Sequence, residues 1–143
     1  MNEKPLTKAI ERYFLKEYDV TRMTMAEPTD IRYKRPDLVF VQARRDVLHV
    51  IEVESSFSKA FGKNSGFNQL KQYKGNYKWL AIHEDEYYKD VERFERECKK
   101  RGIGLIVVSG YERLRVREEI QPNRISGDFL SYYPQVEEEW YES

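Results

Sequence analysis

The segment that most constrains the fold is Ile103 to Val108, which reads Ile-Gly-Leu-Ile-Val-Val and carries no polar side chain. A strand that is apolar on both faces has to be covered on both faces, as happens when a sheet lies between layers of helices. The preceding segment, Tyr87 to Arg101, predicts one such helix, because its apolar residues recur at helical spacing. Together the two segments indicate an α/β fold.

Other segments extend this pattern. The sequence predicts a helix from Lys4 to Tyr18, strands from Pro36 to Val41 and from Val47 to Val53, a helix from Phe67 to Lys74, and strands from Tyr77 to Ile82 and around Leu114 to Val116. The polar residues Gln42 to Asp46 separate the first two strands, which indicates a β-hairpin. The stretch from Ser55 to Gly66 is interpreted as a loop or a frayed helical start. We therefore expect a mixed central sheet flanked by helices.

The composition limits the class of protein. A chain of 143 residues with 40% hydrophobic and 35% charged residues suits one globular domain, spanning residues 1–143. Its single cysteine, Cys98, cannot form an internal disulfide, and no apolar run has the length of a membrane span, so we expect a cytoplasmic protein without membrane contact. The 25 basic residues equal the 25 acidic ones. Any site for a polyanion must therefore be a local patch.

Three carboxylates occur where two predicted strands meet. Glu52 and Glu54 share a strand face about 6.6 Å apart, and the hairpin brings Asp37 beside them. Alone, a Glu-x-Glu pair is most often a solvated face, but three converging carboxylates repel one another, and a hard divalent cation such as Mg²⁺ relieves that repulsion. A zinc site is disfavoured, because His49 and His83 lie in different elements. The pattern thus indicates a magnesium site.

The residues Pro36-Asp37, followed after the hairpin by Glu52-Val53-Glu54, resemble the catalytic motif of the PD-(D/E)XK nuclease superfamily. This superfamily includes many restriction and repair endonucleases. The resemblance implies a restriction-endonuclease-like core with the order αβββαβ, followed here by a further αβ, and it covers roughly residues 4 to 108.

A second motif lies on the next predicted helix. Gln69 and Tyr73 are similar to the Gln-x-x-x-Tyr motif of the RecB-like branch, and their four-residue spacing places them on one helix face. One position departs from the family pattern, because Glu54 stands where the family usually has a lysine that positions or deprotonates the attacking water. Glu-x-Glu versions are known among some restriction endonucleases of this superfamily, so the change leaves activity possible.

The resemblance implies roles for the site residues. Asp37 and Glu52 would hold one or two Mg²⁺ ions, with Mn²⁺ as a substitute and the carbonyl group of Val53 as an additional ligand. Glu54 would be a third ligand or a general base. Gln69 and Tyr73 would steady the active-site strand or the nucleic-acid backbone, and in that sense they belong to the catalytic set.

An extra metal-site acid occurs on the opening helix in some family members, and Glu11 is the corresponding residue here. On a helical wheel, Glu11 falls about 60° outside the apolar stripe, which makes an ordinary surface acid the simpler interpretation.

A basic run follows the carboxylates. Lys59, Lys63, Lys71 and Lys74 are interspersed with aromatic residues, a composition typical of a surface that contacts a nucleic-acid backbone. Lys59, Lys63 and Lys71 are also candidates to replace the missing family lysine. A solvated charged face explains the run equally well.

Two functions are consistent with these residues. The first is a Mg²⁺-dependent endo- or exodeoxyribonuclease that hydrolyses DNA by a metal-activated water and works as a homodimer, with RNA left open as a substrate. The second is a catalytically inactive module of the same fold that binds nucleic acid or a partner subunit.

Overall fold

The computed structural model describes residues 1–23, 36–42 and 47–130, and its strands form one six-stranded mixed sheet. The elements of the described chain, in order, are α1 (Glu3–Glu17), β1 (Thr21–Arg22), β2 (Leu38–Gln42), β3 (Val47–Glu54), α2 (Phe57–Ala60), α3 (Gly66–Gln72), β4 (Tyr77–His83), α4 (Glu84–Tyr87), α5 (Val91–Arg101), β5 (Gly104–Ser109) and β6 (Arg115–Ile120). The α/β class expected from the sequence is confirmed. Residues 43–46, where the hairpin turn was expected, lie outside the described part of the chain.

The sheet has the strand order β1-β2-β3-β4-β5-β6. β2 and β3 form the expected antiparallel pair, with Leu38 opposite Ile51. β4 is parallel to both β3 and β5, and β6 is antiparallel to β5. The strand predicted around Leu114 to Val116 corresponds to β6, which lies at one edge of the sheet. The sheet is mixed because β3, β4 and β5 are parallel to one another, whereas β2 and β6 pair antiparallel on either side of them.

Each face of the sheet has its own apolar core. On one face, Leu6, Ile10 and Phe14 of α1 pack against strand residues that include Ile51 and Trp79. On the other face, α3 and α5 cover a second core, to which α3 contributes Leu70, α5 contributes Phe94, and β3 contributes Val50. Every residue of β3 is buried. Apart from His49, apolar residues therefore fill both faces of this strand up to its end, where Glu52 and Glu54 occur.

The expected helix from Tyr87 to Arg101 begins four residues later than predicted, at Val91, and Tyr87 is instead the last residue of the separate short helix α4. α4 ends at Tyr87, and α5 begins at Val91 after Asp90, whose side chain accepts a hydrogen bond from the Arg93 N–H at 3.1 Å. An aspartate at this position satisfies an N–H group that has no partner in the first turn of a helix, so it starts a new helix. The apolar stripe continued across the break, which is why periodicity alone predicted one helix.

The two histidines and the cysteine are buried in the described part of the chain. His49 is 3% exposed, stacks on Tyr77, and accepts a hydrogen bond from Trp79 Nε1 at 3.2 Å. Burial lowers the pKa of His49 to about 4. His83 and Cys98 are also buried. None of the three lines the cleft that contains Asp37 and Glu52.

Asn76 ties the segment after β6 to the sheet. Its Oδ1 accepts a hydrogen bond from the Leu48 N–H at 2.9 Å, and its Nδ2 donates to the carbonyl oxygens of Ile125 at 2.8 Å and Gly127 at 3.0 Å. The side chain is buried, so water cannot replace these bonds.

We expect Asn76→Ala to lower the free energy of unfolding by about 3 kcal/mol, because it leaves a buried N–H without an acceptor and removes two further bonds. Urea denaturation measures the change. Asn123→Ala, an exposed substitution in the same segment, is the control and should change the free energy by less than about 0.5 kcal/mol. Equal effects of the two variants would contradict the role given to Asn76.

In the described ranges, no helix combines the length and the apolar character that crossing a membrane requires.

Candidate functional site

The β2–β3 hairpin brings Asp37 and Glu52 together. The register pairs Leu38 with Ile51, so continuing the antiparallel pairing by one residue sets Asp37 opposite Glu52 on the same sheet face. Asp37 is held in place by the backbone, because its Oδ2 accepts a hydrogen bond from the Val53 N–H at 2.7 Å. Asp37 is exposed, whereas Glu52 is 7% exposed. The two carboxylates therefore form a pair at the border of the core.

Tyr73 and Gln69 continue this arrangement behind Glu52. The Tyr73 hydroxyl donates to Glu52 Oε2 at 3.1 Å, and the Gln69 side chain is hydrogen-bonded to Tyr73 in turn. Both residues are buried. Gln69 lies in α3, but Tyr73 is the C-cap residue just after that helix. The two motifs that were separate in the sequence thus meet at one carboxylate, although Tyr73 does so from beyond the helix and not from its face.

Glu54 is fixed by a different contact. Its Oε1 accepts a hydrogen bond from the Gly66 N–H at 2.8 Å, and its side chain is buried. Burial raises the pKa of Glu54 to about 7, partly opposed by the Gly66 bond. The convergence of three acids on one point, expected from the strand pattern, is thus only partly found: Glu54 shares the cleft, but one of its oxygens is engaged by the loop.

A cleft of about 400 Å³ contains these groups. It is lined by residues of α1, the hairpin, α2 and the loop before α3: Glu3, Asp37, Glu52, Val53, Glu54, Lys59, Asn64, Ser65 and Tyr73. Four of them are acids and one is a lysine. The lining of the cleft therefore has an excess of acidic side chains.

The acids of the cleft oppose one another's ionisation. Burial raises the pKa of Glu52 well above its ordinary value of 4.5, and the neighbouring Asp37 and Glu54 raise it further, while the Tyr73 hydroxyl acts in the opposite direction. Burial and Asp37 also raise the pKa of Glu3, which Lys59 lowers. A divalent cation would reverse the balance by favouring the charged carboxylates.

The donor set suits magnesium better than a metal that needs many protein ligands. Across residues 1–23, 36–42 and 47–130, no three His, Cys, Asp or Glu side chains are grouped so as to hold a metal ion. Asp37 and Glu52 instead offer a pair of carboxylates at the edge of an open cleft. Mg²⁺ commonly binds through one or two carboxylates and retains several waters. Asp37 and Glu52, with the Val53 carbonyl, therefore fit Mg²⁺ chemically.

The remaining predicted site residues lie at different distances from this cleft. Glu11 is not among the lining residues, and its carboxylate forms an ion pair with Arg22 at 2.6 Å. The acid that α1 contributes is Glu3, from its first turn. Sequence reasoning missed Glu3, because the apolar stripe of α1 does not show which end of the helix meets the hairpin.

The lysine run is divided by the fold. Lys59 lines the cleft, whereas Lys63, Lys71 and Lys74 are exposed and are not lining residues. The carbonyl oxygen of Lys71 accepts a bond from Lys78 Nζ at 3.4 Å, which is a local contact. Of the lysines proposed to replace the family lysine, Lys59 is therefore the one beside the carboxylates.

Gly66 supports the site through its backbone. Its φ angle is +53°, and an added Cβ would lie 2.0 Å from the Ala60 carbonyl oxygen. Gly66→Ala is expected to lower the free energy of unfolding by about 3 kcal/mol, because both the dihedral angle and the space require glycine. Urea denaturation tests this, with the exposed neighbour Asn64→Ala as the control for stability. A Gly66→Ala protein as stable as the wild type would show that the loop has another low-energy conformation.

Comparisons of this chain with protein-family models, with curated proteins and with solved structures find no match.

Proposed function

We propose that the protein is a metal-dependent deoxyribonuclease with a restriction-endonuclease-like core. The observation that supports this most directly is the pair Asp37 and Glu52, from adjacent antiparallel strands, at the mouth of a cleft with Tyr73 bonded to Glu52. A structural role for Glu52 is a poor alternative, because burying a carboxylate beside another one costs free energy unless a cation compensates.

Asp37 and Glu52 would hold Mg²⁺ or Mn²⁺, with help from the Val53 carbonyl. The chemistry that such an ion supplies is Lewis acidity, which makes water more acidic and offsets the charge that develops on the phosphate. The protein's own residues prepare this site. The Val53 N–H orients Asp37, and the Tyr73 hydroxyl orients Glu52, so neither carboxylate has to be ordered when the substrate binds.

Glu54 and Lys59 would each take one of the roles of the lysine that the nuclease family usually has at the position of Glu54. The Gly66 N–H holds one oxygen of Glu54, so we assign Glu54 to accept a proton from the attacking water and not to act as a third ligand. Lys59, from α2, brings a positive charge to the cleft, where it can contact the phosphate. Gln69 acts on Glu52 through Tyr73 and is a positioning residue.

Incubation of the purified protein with single-stranded, duplex and branched DNA tests the proposal. We expect cleavage with Mg²⁺ or Mn²⁺ and none with EDTA. An RNA substrate of matched sequence shows whether the sugar matters. If all the nucleic acids stay intact, and calorimetry at millimolar Mg²⁺ detects no binding, the nuclease proposal fails in favour of a non-catalytic module.

A further inference from the structure

A row of cations lies on the exposed side of α1. Lys8, Arg12 and Lys16 are spaced four residues apart, so successive side chains start about 6 Å apart along the helix axis. All three are exposed, and the buried stripe of α1 faces away from them. This row was not part of the sequence-based prediction for nucleic-acid binding, which concerned the lysines after Glu54.

The row forms one wall of a groove. The groove lies between α1 and the start of β6 together with the segment just before it, and its volume of about 580 Å³ exceeds that of the cleft with the carboxylates. Arg113 contributes a fourth cation from the opposite wall, and Leu114 and Val116 also line the groove. Among the lining residues, four are cations and one, Glu112, is an acid. The surface is therefore concave and strongly positive.

The four cations of the groove have no anionic partner in the described part of the chain. Within the described ranges, Lys8, Arg12, Lys16 and Arg113 form no ion pair and no side-chain hydrogen bond. The whole chain has as many acids as bases, so a local excess of three positive charges is not a consequence of the overall composition. Unpaired cations at such density are stabilised by an anionic ligand.

The groove and the cleft both reach the first turn of α1. Glu3 lines the cleft and Pro5 lines the groove, and the two residues belong to the first turn of α1. From there the cation row continues along the helix for about 12 Å between Lys8 and Lys16. A backbone that carries one phosphate per about 3.4 Å of axis on each strand would present several phosphates over this length.

We propose that the groove between α1 and β6 binds the sugar–phosphate backbone of the DNA outside the cleft. The inference rests on the proposed function for the choice of ligand. A linear polyanion fits a recessed row of cations, whereas a membrane surface is flat and cannot reach all walls of a groove. The groove would thus hold the substrate while the carboxylates act on one phosphodiester.

The test is a binding titration of a fluorescently labelled 20-nucleotide DNA duplex in EDTA, so that cleavage cannot interfere. The triple variant Lys8→Gln, Arg12→Gln, Lys16→Gln is compared with wild type at several salt concentrations. We expect at least a tenfold loss of affinity, and a slope of log K against log salt that is smaller in magnitude by about 2.7, from roughly 0.9 per lost phosphate contact.

The matched control is Arg96→Gln, Lys99→Gln, Lys100→Gln, which removes two lysines and one arginine from exposed positions of α5 on the opposite face. This variant should retain the wild-type affinity and slope. Thermal melts of both triple variants verify folding.

Equal losses in both variants would overturn the proposal, because they would reflect only the overall charge. An α1 variant that binds the duplex as tightly as the wild type would overturn the proposal as well. So would an α1 variant that loses binding to vesicles rich in phosphatidylserine but retains binding to the duplex. Failure of the nuclease proposal remains distinguishable. If the wild-type protein binds DNA through the groove but cleaves no DNA with Mg²⁺, the groove proposal stands and the nuclease proposal fails.

Discussion

Replacing Asp37 by Asn or Glu52 by Gln is expected to lower the rate of DNA cleavage about a thousandfold with Mg²⁺. Each change preserves the shape of the side chain and removes one carboxylate charge from the pair that would hold the ion. Loss of several kcal/mol of charge stabilisation in the transition state corresponds to this factor. Single-turnover cleavage of a labelled duplex, with enzyme in excess, measures it.

The control for both variants is Glu92→Gln, an exposed acid on α5 that lies outside the cleft. Its cleavage rate should stay within about twofold of the wild type. DNA binding in EDTA should persist in Asp37→Asn and Glu52→Gln, because backbone contacts and not the carboxylates hold the DNA. A Glu52→Gln enzyme with full activity would remove Glu52 from the catalytic set, whatever the structure of the cleft.

The same Glu52→Gln substitution is expected to make the protein more stable when no divalent cation is present. Glu52 is buried beside Asp37, and its pKa is raised in the folded state. Its favourable contribution to folding is therefore fully present below pH 4.5 and is lost as the pH rises towards the folded-state pKa. Keeping a proton on a carboxyl of ordinary pKa 4.5 costs about 3 kcal/mol at pH 7. Glutamine avoids the free-energy cost of keeping a proton, and its side-chain oxygen can still accept a hydrogen bond from the Tyr73 hydroxyl.

Thermal melts in EDTA at pH 4 to 8 measure this effect. We expect the variant and the wild type to melt together near pH 4 and to separate above it, with the variant higher by roughly 8 °C at pH 7. Saturating Mg²⁺ should raise the Tm of the wild type and narrow the gap. Glu92→Gln should follow the wild type throughout. A Glu52→Gln protein that melts below the wild type at pH 7 would indicate that the carboxylate stabilises the fold.

These two results together separate a functional site from a structural one. A buried residue that serves packing or hydrogen bonding loses stability when it is replaced, whereas a site residue held in an unfavourable environment gains stability and loses activity. Glu52 is expected to behave in the second way. Tyr73 and Gln69 support the same carboxylate and are themselves buried, so their replacement would lower both activity and stability.

Local patterns in the sequence were sufficient for most of the secondary structure. The hairpin with Asp37 near one strand start and Glu52 near the other strand end could be predicted, because strand alternation and antiparallel pairing determine which residues share a face. The buried strand from Ile103 and the amphipathic opening helix followed from apolar periodicity. The break at Asp90 was missed, because this capping residue starts a new helix without interrupting the apolar stripe.

Which charged groups lie close together depends on the packing of elements that are distant in sequence. Gly66 engages Glu54, Lys59 reaches the cleft while Lys63 and Lys74 do not, and α1 contributes Glu3 and not Glu11. Periodicity assigns a residue to a face of its own element, but the distance between side chains of different elements depends on how helices pack across the sheet. Local sequence patterns therefore predict most elements and the facing carboxylates Asp37 and Glu52, whereas packing across the sheet determines which other side chains lie beside these carboxylates.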